Sequence, residues 1–113
     1  MTPRHGYLYL ADLNPRIGSE PGKVRPVVVI QTDLLNDQQY PSTWIIPCTT
    51  QCTGENLLRV FIPKDIAGNL SDCEVMIDQS RAIDNRRLKK QLHSLPPTIL
   101  REIKQKLRLL GDF

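Results

Sequence analysis

Apolar residues come in short blocks separated by turn-rich breaks, with one longer stripe at the end of the chain. Gly6 to Leu13, Gly-Tyr-Leu-Tyr-Leu-Ala-Asp-Leu, is rich in β-formers and closes on Asn14-Pro15, the pattern of a strand. Residues 14–24 hold two prolines and two glycines and read as a long loop, a feature that in compact domains is either functional or disordered. Pro26-Val27-Val28-Val29-Ile30 has no polar face, so it reads as a central strand buried on both sides. Pro26 is expected at its start, where no ladder donor is lost. Residues 33–42 are polar and read as a second loop. Thr43 to Thr49 reads as a strand, with Pro47 marking a bulge or an edge near its end. A third loop over Thr50 to Asn56 leads to a strand from Leu57 to Ile62. Pro63 to Ser71 is a turn region with room for one helical turn, and Cys73 to Ile77 is a strand running directly into Asp78 to Ile83.

Beyond Pro96-Pro97 the period changes. Ile99, Leu100, Ile103, Leu107 and Leu110 form the stripe of an amphipathic helix, with Arg101, Lys104, Lys106 and Arg108 mostly off it. Ser94 or Leu95 is expected at the cap and Gly111 at the end. Many short strands followed by one helix predict a mainly β (α+β) architecture, a small barrel closed by a C-terminal helix.

The chain has 113 residues, the size of one domain, expected to span 1–113. With 40% hydrophobic and 24% charged residues, the composition excludes disorder for the bulk of the chain. No apolar stretch approaches the ~20 residues of a membrane span. The first residues carry no apolar signal core, so the expected compartment is the cytoplasm, without a membrane partner. The net charge of +3 is unevenly spread: residues 81–113 hold nine Lys/Arg against three Asp/Glu. A basic end fits nucleic acid or an acidic protein partner, and equally a solvated helix face. The three cysteines, Cys48, Cys52 and Cys73, lack a zinc-site spacing with His5 or His93 and read as small apolar fillers or strand residues. No metal and no cofactor is expected.

Three segments could carry chemistry. In Gly18 to Pro26 a glycine-containing loop exposes backbone N–H groups, and Arg25, fixed beside Pro26, presents a planar fork suited to phosphate. A rim arginine paired with Glu20 or Asp12 explains the same residues. Pro47-Cys48-Thr49-Thr50-Gln51 gathers hydroxyls and an amide that can bind phosphate oxygens or satisfy a β-edge. Asp78-Gln79-Ser80-Arg81 is a polar strand join.

In order along the chain, these segments resemble the MazF/PemK family of toxin endoribonucleases. The resemblance runs through Tyr9 to Pro15, Gly18-Ser19-Glu20, Val24 to Ile30, Pro47 to Gln51, Asp78 to Asp84, and a closing helix over Leu107 to Phe113. Tyr7 and Pro21 depart from the family pattern. The resemblance implies an SH3-like barrel with a C-terminal helix, shared with the CcdB toxins, and a homodimer. It implies metal-independent cleavage of single-stranded mRNA at short sequences, through attack by the RNA's 2′-OH, and inhibition by a cognate antitoxin with an acidic C-terminal segment. The catalytic positions of the family fall on Arg25 and Thr49. Ser19, Glu20, Thr50 and Gln79 fall near RNA, and Arg16, Lys23 and Arg81 are expected to converge with Arg25 on the same loop face. A non-catalytic relative on this fold, binding RNA, an antitoxin or gyrase, is the alternative. The gyrase reading would want an aromatic C-terminus, whereas this chain ends Leu-Leu-Gly-Asp-Phe with its only tryptophan at Trp44.

Overall fold

A computed structural model describes residues 1–15, 17–19 and 23–113. Its strands are β1 (Tyr7–Asp12), β2 (Val24–Val29), β3 (Ser42–Thr49), β4 (Arg59–Ile62), β5 (Cys73–Met76), β6 (Arg81–Asp84) and β7 (Leu88–Ser94). Two helices, α1 (Asp33–Asn36) and α2 (Pro97–Gly111), complete it, with 3-10 turns over Ile77–Gln79 and Asn85–Arg87. The antiparallel strands run β4-β5-β3-β2-β1-β7, and β6 pairs with β3. The path ends on β4 and β7 without joining them, so the expected barrel is a curled sheet that is not closed.

Alternation along the central strands sorts side chains into two cores, because successive residues point to opposite faces. Leu8, Val28, Ile30, Ile46 and Cys48 enter one cluster with Ile103 and Leu107 of α2. Tyr9, Ala11, Val27, Val29 and Ile45 enter the other with Ile83 and Leu88. The double-sided burial expected of Val27 to Ile30 follows from this arrangement. Pairing between β2 and β3 begins at Val27, one residue beyond Pro26, so the missing proline N–H costs no bond to β3.

Several elements differ from the sequence reading. Pro47 marks no edge. β3 pairs with β6 over Ser42–Ile45 and with β5 over Cys48–Thr49, and Pro47 falls in the gap between those partners. Within the expected 33–42 loop lies the single turn α1, whose cap residue Thr32 accepts a bond from the Leu34 N–H at 3.2 Å. A four-residue helix is too short to show a period. The strand expected from Leu57 starts at Arg59, because the Glu55 carboxylate accepts the N–H groups of Leu57 and Leu58. No helical turn forms over Pro63–Ser71. β7 had no sequence signal, since most of its side chains are polar and exposed, as suits a lysine-bearing edge strand. Ser94 belongs to β7, so α2 begins after Pro96 without a side-chain cap. The helix runs through Gly111 and ends on left-handed Asp112. Ile103 and Leu107 are buried as the stripe requires, whereas Leu110 is exposed. Among the described residues, no helix is long and apolar enough to cross a membrane.

Candidate functional site

The ends of β2 and β3 and the loops beside them enclose a groove of about 760 Å3. Its charged residues, among those described, are Lys23, Arg25 and Arg59; Asn14, Ser19, Thr49, Thr50, Gln51, Thr53 and Gln79 supply hydroxyls and amides. A concave surface with three cations and many neutral donors is suited to an anion that also needs hydrogen bonds.

Sheet geometry brings the two strand residues together. The antiparallel register Val27↔Pro47, carried two residues on, sets Arg25 level with Thr49. Arg25 is half-buried, and its Nη1 donates to the Cys48 carbonyl at 3.2 Å, which holds the guanidinium against the β3 backbone. Thr49 Oγ1 accepts the Gln51 N–H at 3.1 Å. With a lone pair occupied in this way, the hydroxyl hydrogen can be donated into the groove.

The β1–β2 loop is pinned at its neck. Lys23 N–H donates to Asn14 Oδ1 at 2.8 Å, and Leu13 N–H to the Lys23 carbonyl at 2.8 Å. Lys23 takes a left-handed φ of 70°, uncommon outside glycine. Arg87 braces the neck by donating to the carbonyls of Asp12 and Asn14.

The opposite wall is tied to a buried acid. Glu74 stands opposite Thr49 on β5, and its side chain is 4% exposed. Its carboxylate accepts from the N–H groups of Thr53 (3.1 Å) and Gly54 (3.0 Å) and from Arg59 Nη1 (3.0 Å). Burial pushes the Glu74 pKa up, but the Thr53 and Gly54 amides and the Arg59 guanidinium outweigh it and hold the group below the usual carboxylate value. Lys106 of α2 donates to the Arg59 carbonyl at 2.8 Å, clamping the same arginine from behind.

Of the residues singled out in the sequence, Ser19, Lys23, Arg25, Thr49, Thr50 and Gln79 line this groove. Arg81 sits on β6 opposite Ile45 and is not among the lining residues. Arg16 and Glu20 lie outside the described residues. The sequence reading passed over Asn14, Thr53, Arg59 and Glu74 as parts of the site. A signal existed for Glu74: a lone acid in Cys-Glu-Val-Met needs partners if the strand is buried. Cys48 and Cys73 are core residues as expected, but Cys52 is an exposed loop residue. A hydrogen bond with Cys73, together with burial, raises the Cys48 pKa and keeps the thiol protonated, the wrong state for a nucleophile. Among the described residues, no three His, Cys, Asp or Glu side chains form a metal-ligand group.

Comparison with known proteins gives a consistent result. Residues 4–111 match the family described as PemK-like, MazF-like toxin of type II toxin-antitoxin system. The chain is 37% identical over 102 residues to the endoribonuclease MazF of Staphylococcus epidermidis, covering 88% of this chain and 83% of that protein. The crystal structure of MazF from Deinococcus radiodurans superposes with a TM-score of 0.86 at 26% identity, covering 100% of this chain and 99% of that one. A crystal structure of MazE-MazF from the same organism gives a TM-score of 0.80 at 26% identity, covering 100% and 98%.

The Glu74 geometry sets an acid dependence. A depressed folded pKa means that stabilisation by the carboxylate is complete above the unfolded value of ~4.3 and is lost as pH falls through the folded value. In urea unfolding from pH 7 to pH 3, the stability gap between the wild type and Glu74→Gln should be widest at neutral pH and shrink below about pH 4. A gap constant with pH would show that the charge of Glu74 plays no part.

Proposed function

The chain belongs to the PemK-like, MazF-like toxins of type II toxin-antitoxin systems, and from that membership we propose that its groove cleaves single-stranded RNA, with Arg25 and Thr49 acting on the scissile phosphate. The observation that carries this reading is that these two residues, level on adjacent strands, line one groove whose described charges are all cationic.

The chemistry needs little from the protein beyond position and charge. The 2′-oxygen of the RNA attacks the neighbouring phosphorus, the P–O5′ bond breaks, and the products are a 2′,3′-cyclic phosphate and a 5′-hydroxyl. The 2′-OH proton is released and O5′ takes one up, so the step is balanced without an external nucleophile. Because the nucleophile is already attached to the substrate, its effective concentration is high. Arg25 supplies charge to the phosphorane oxygens, and Thr49 donates its hydroxyl hydrogen to a non-bridging oxygen. The guanidinium remains protonated throughout and does not serve as the base. Lys23, Ser19, Thr50 and Gln79 bind flanking phosphates and bases.

The MazE-MazF complex of Deinococcus radiodurans supports an antitoxin partner for this chain as well. An acidic segment of that antitoxin would lie along Lys23, Arg25 and Arg59 and exclude RNA. The toxin acts as a homodimer in the cytoplasm, where messages are found.

Incubation with a mixed RNA in EDTA, followed by mapping of the 5′ ends, tests the activity. Cleavage at a short recurring sequence is expected. A single 2′-deoxy substitution 5′ of the scissile phosphate should stop cutting there while leaving binding nearly unchanged; comparable cutting of the deoxy substrate would sink the proposed attack. Arg25→Ala should lose about 100–1,000-fold in activity while remaining folded. Thr49→Ala should lose less, because a neutral hydroxyl stabilises charge less than a guanidinium. In sedimentation at micromolar concentration the protein should run as a dimer, and a monomer would refute the assembly.

A further inference from the structure

We infer that Glu74 is a positioning residue that locks the β3–β4 loop against the groove and thereby sets which RNA sequences are cut. The inference rests on the RNA-cleavage reading above.

The loop, residues 50–58, has no regular structure and is almost wholly exposed, including Cys52 and Leu57. Its far end is fixed separately: Leu58 packs on the core, its carbonyl accepts the Ile77 N–H at 3.0 Å, and Glu55 accepts the N–H groups of Leu57 and Leu58. The earlier part, Thr50 to Gly54, is tied to the neighbouring strand by one buried carboxylate. Glu74 Oε2 accepts the Gly54 N–H at 3.0 Å, and Oε1 accepts the Thr53 N–H at 3.1 Å and the Thr53 hydroxyl at 3.4 Å. At the other end of this segment the Gln51 N–H is bound to Thr49 Oγ1. The stretch from Thr49 to Gly54 is thus tied at the proposed working hydroxyl and again at a buried charge.

Thr50, Gln51 and Thr53, between or at these ties, all face the groove. Hydroxyls and amides are the groups that read the edges of unstacked bases. Held in place, they accept bases whose donors and acceptors match and leave others unpaired; released, they adapt to more sequences. Arg25 and Thr49 sit on paired strands, so the lock bears on substrate choice and binding more than on the chemical step.

Charge alone makes the opposite prediction. A carboxylate beside a phosphate-binding groove repels RNA, so neutralising it would tighten binding. The lock predicts that the isosteric neutral variant Glu74→Gln binds RNA more weakly and chooses less well, because its NH2 group points a donor at the donors of Thr53, Gly54 or Arg59.

The experiment joins amide hydrogen exchange on the free protein with cleavage of a random-sequence RNA pool, using the wild type and Glu74→Gln at a temperature where both are folded by near-ultraviolet circular dichroism. In the wild type, the Thr53 and Gly54 amides should exchange at least about tenfold slower than unprotected loop amides, and in Glu74→Gln that protection should vanish. KM should rise about tenfold while kcat on the preferred sequence stays within about twofold, and the set of cleaved sequences should widen. Unprotected Thr53 and Gly54 amides in the wild type would overturn the inference even if no Glu74 variant folds. Tighter RNA binding by Glu74→Gln, or an unchanged set of cleaved sequences, would overturn it too, leaving only a stabilising ion pair with Arg59. If the wild type cuts no RNA, the substrate choice assigned to Glu74 falls with the RNA reading, and protected wild-type amides would place that failure in the activity and not in the lock.

Discussion

Strand β3 is hydrogen-bonded along both edges, and the groove depends on that double constraint. One edge is taken by β2, and the other is shared between β6 over its first half and β5 at its end. Such sharing needs a position where the ladder can change partner, and Pro47, which has no N–H to offer, occupies it. Just past this point the β3 backbone presents the Cys48 carbonyl to Arg25 and carries Thr49 beside it. The two side chains proposed to act on phosphate are therefore attached to paired strands of a sheet with buried residues on both of its faces. Precise placement of charge on a developing transition state needs this kind of support.

The loops that complete the groove are held differently. Each is fixed by a few polar contacts: Asn14 to Lys23 with Arg87 behind on one side, Thr53 and Gly54 to Glu74 on the other. The groove thus has a floor of paired strands and walls tied by single polar contacts.

The same polar struts alter the meaning of the charge distribution. The basic end of the chain invites a reading as a nucleic-acid surface. In the fold, part of it is employed in bracing: Arg87 holds the β1–β2 neck and Lys106 clamps the Arg59 backbone. The cations that line the groove, Lys23, Arg25 and Arg59, all come from the first part of the chain, where the net charge is negative. Charge by segment is thus a poor guide to charge by surface, because antiparallel pairing brings together residues far apart in sequence.

The central strands were legible in the sequence because burial leaves a direct trace. Two-sided burial of Val27 to Ile30 requires a run without polar residues, and the α2 stripe requires a period of 3.6. The motifs around Arg25 and Thr49 were legible only through their order along the chain, which resembles the MazF/PemK family; each segment alone read equally as a rim arginine or a β-edge. β7 left no such trace, because an edge strand with an exposed outer face tolerates Lys, Gln and His. The turn α1 was too short to show a period. For Glu74 the local pattern signals only that a buried acid needs partners; which amides and which guanidinium supply them is decided by other segments. The sequence alone determined the burial of the central strands and of Ile103 and Leu107 on the closing helix, since these follow from local polarity and period. The tertiary structure alone decided which polar groups meet, because hydrogen bonds across long separations depend on register and strand order, which no local pattern encodes.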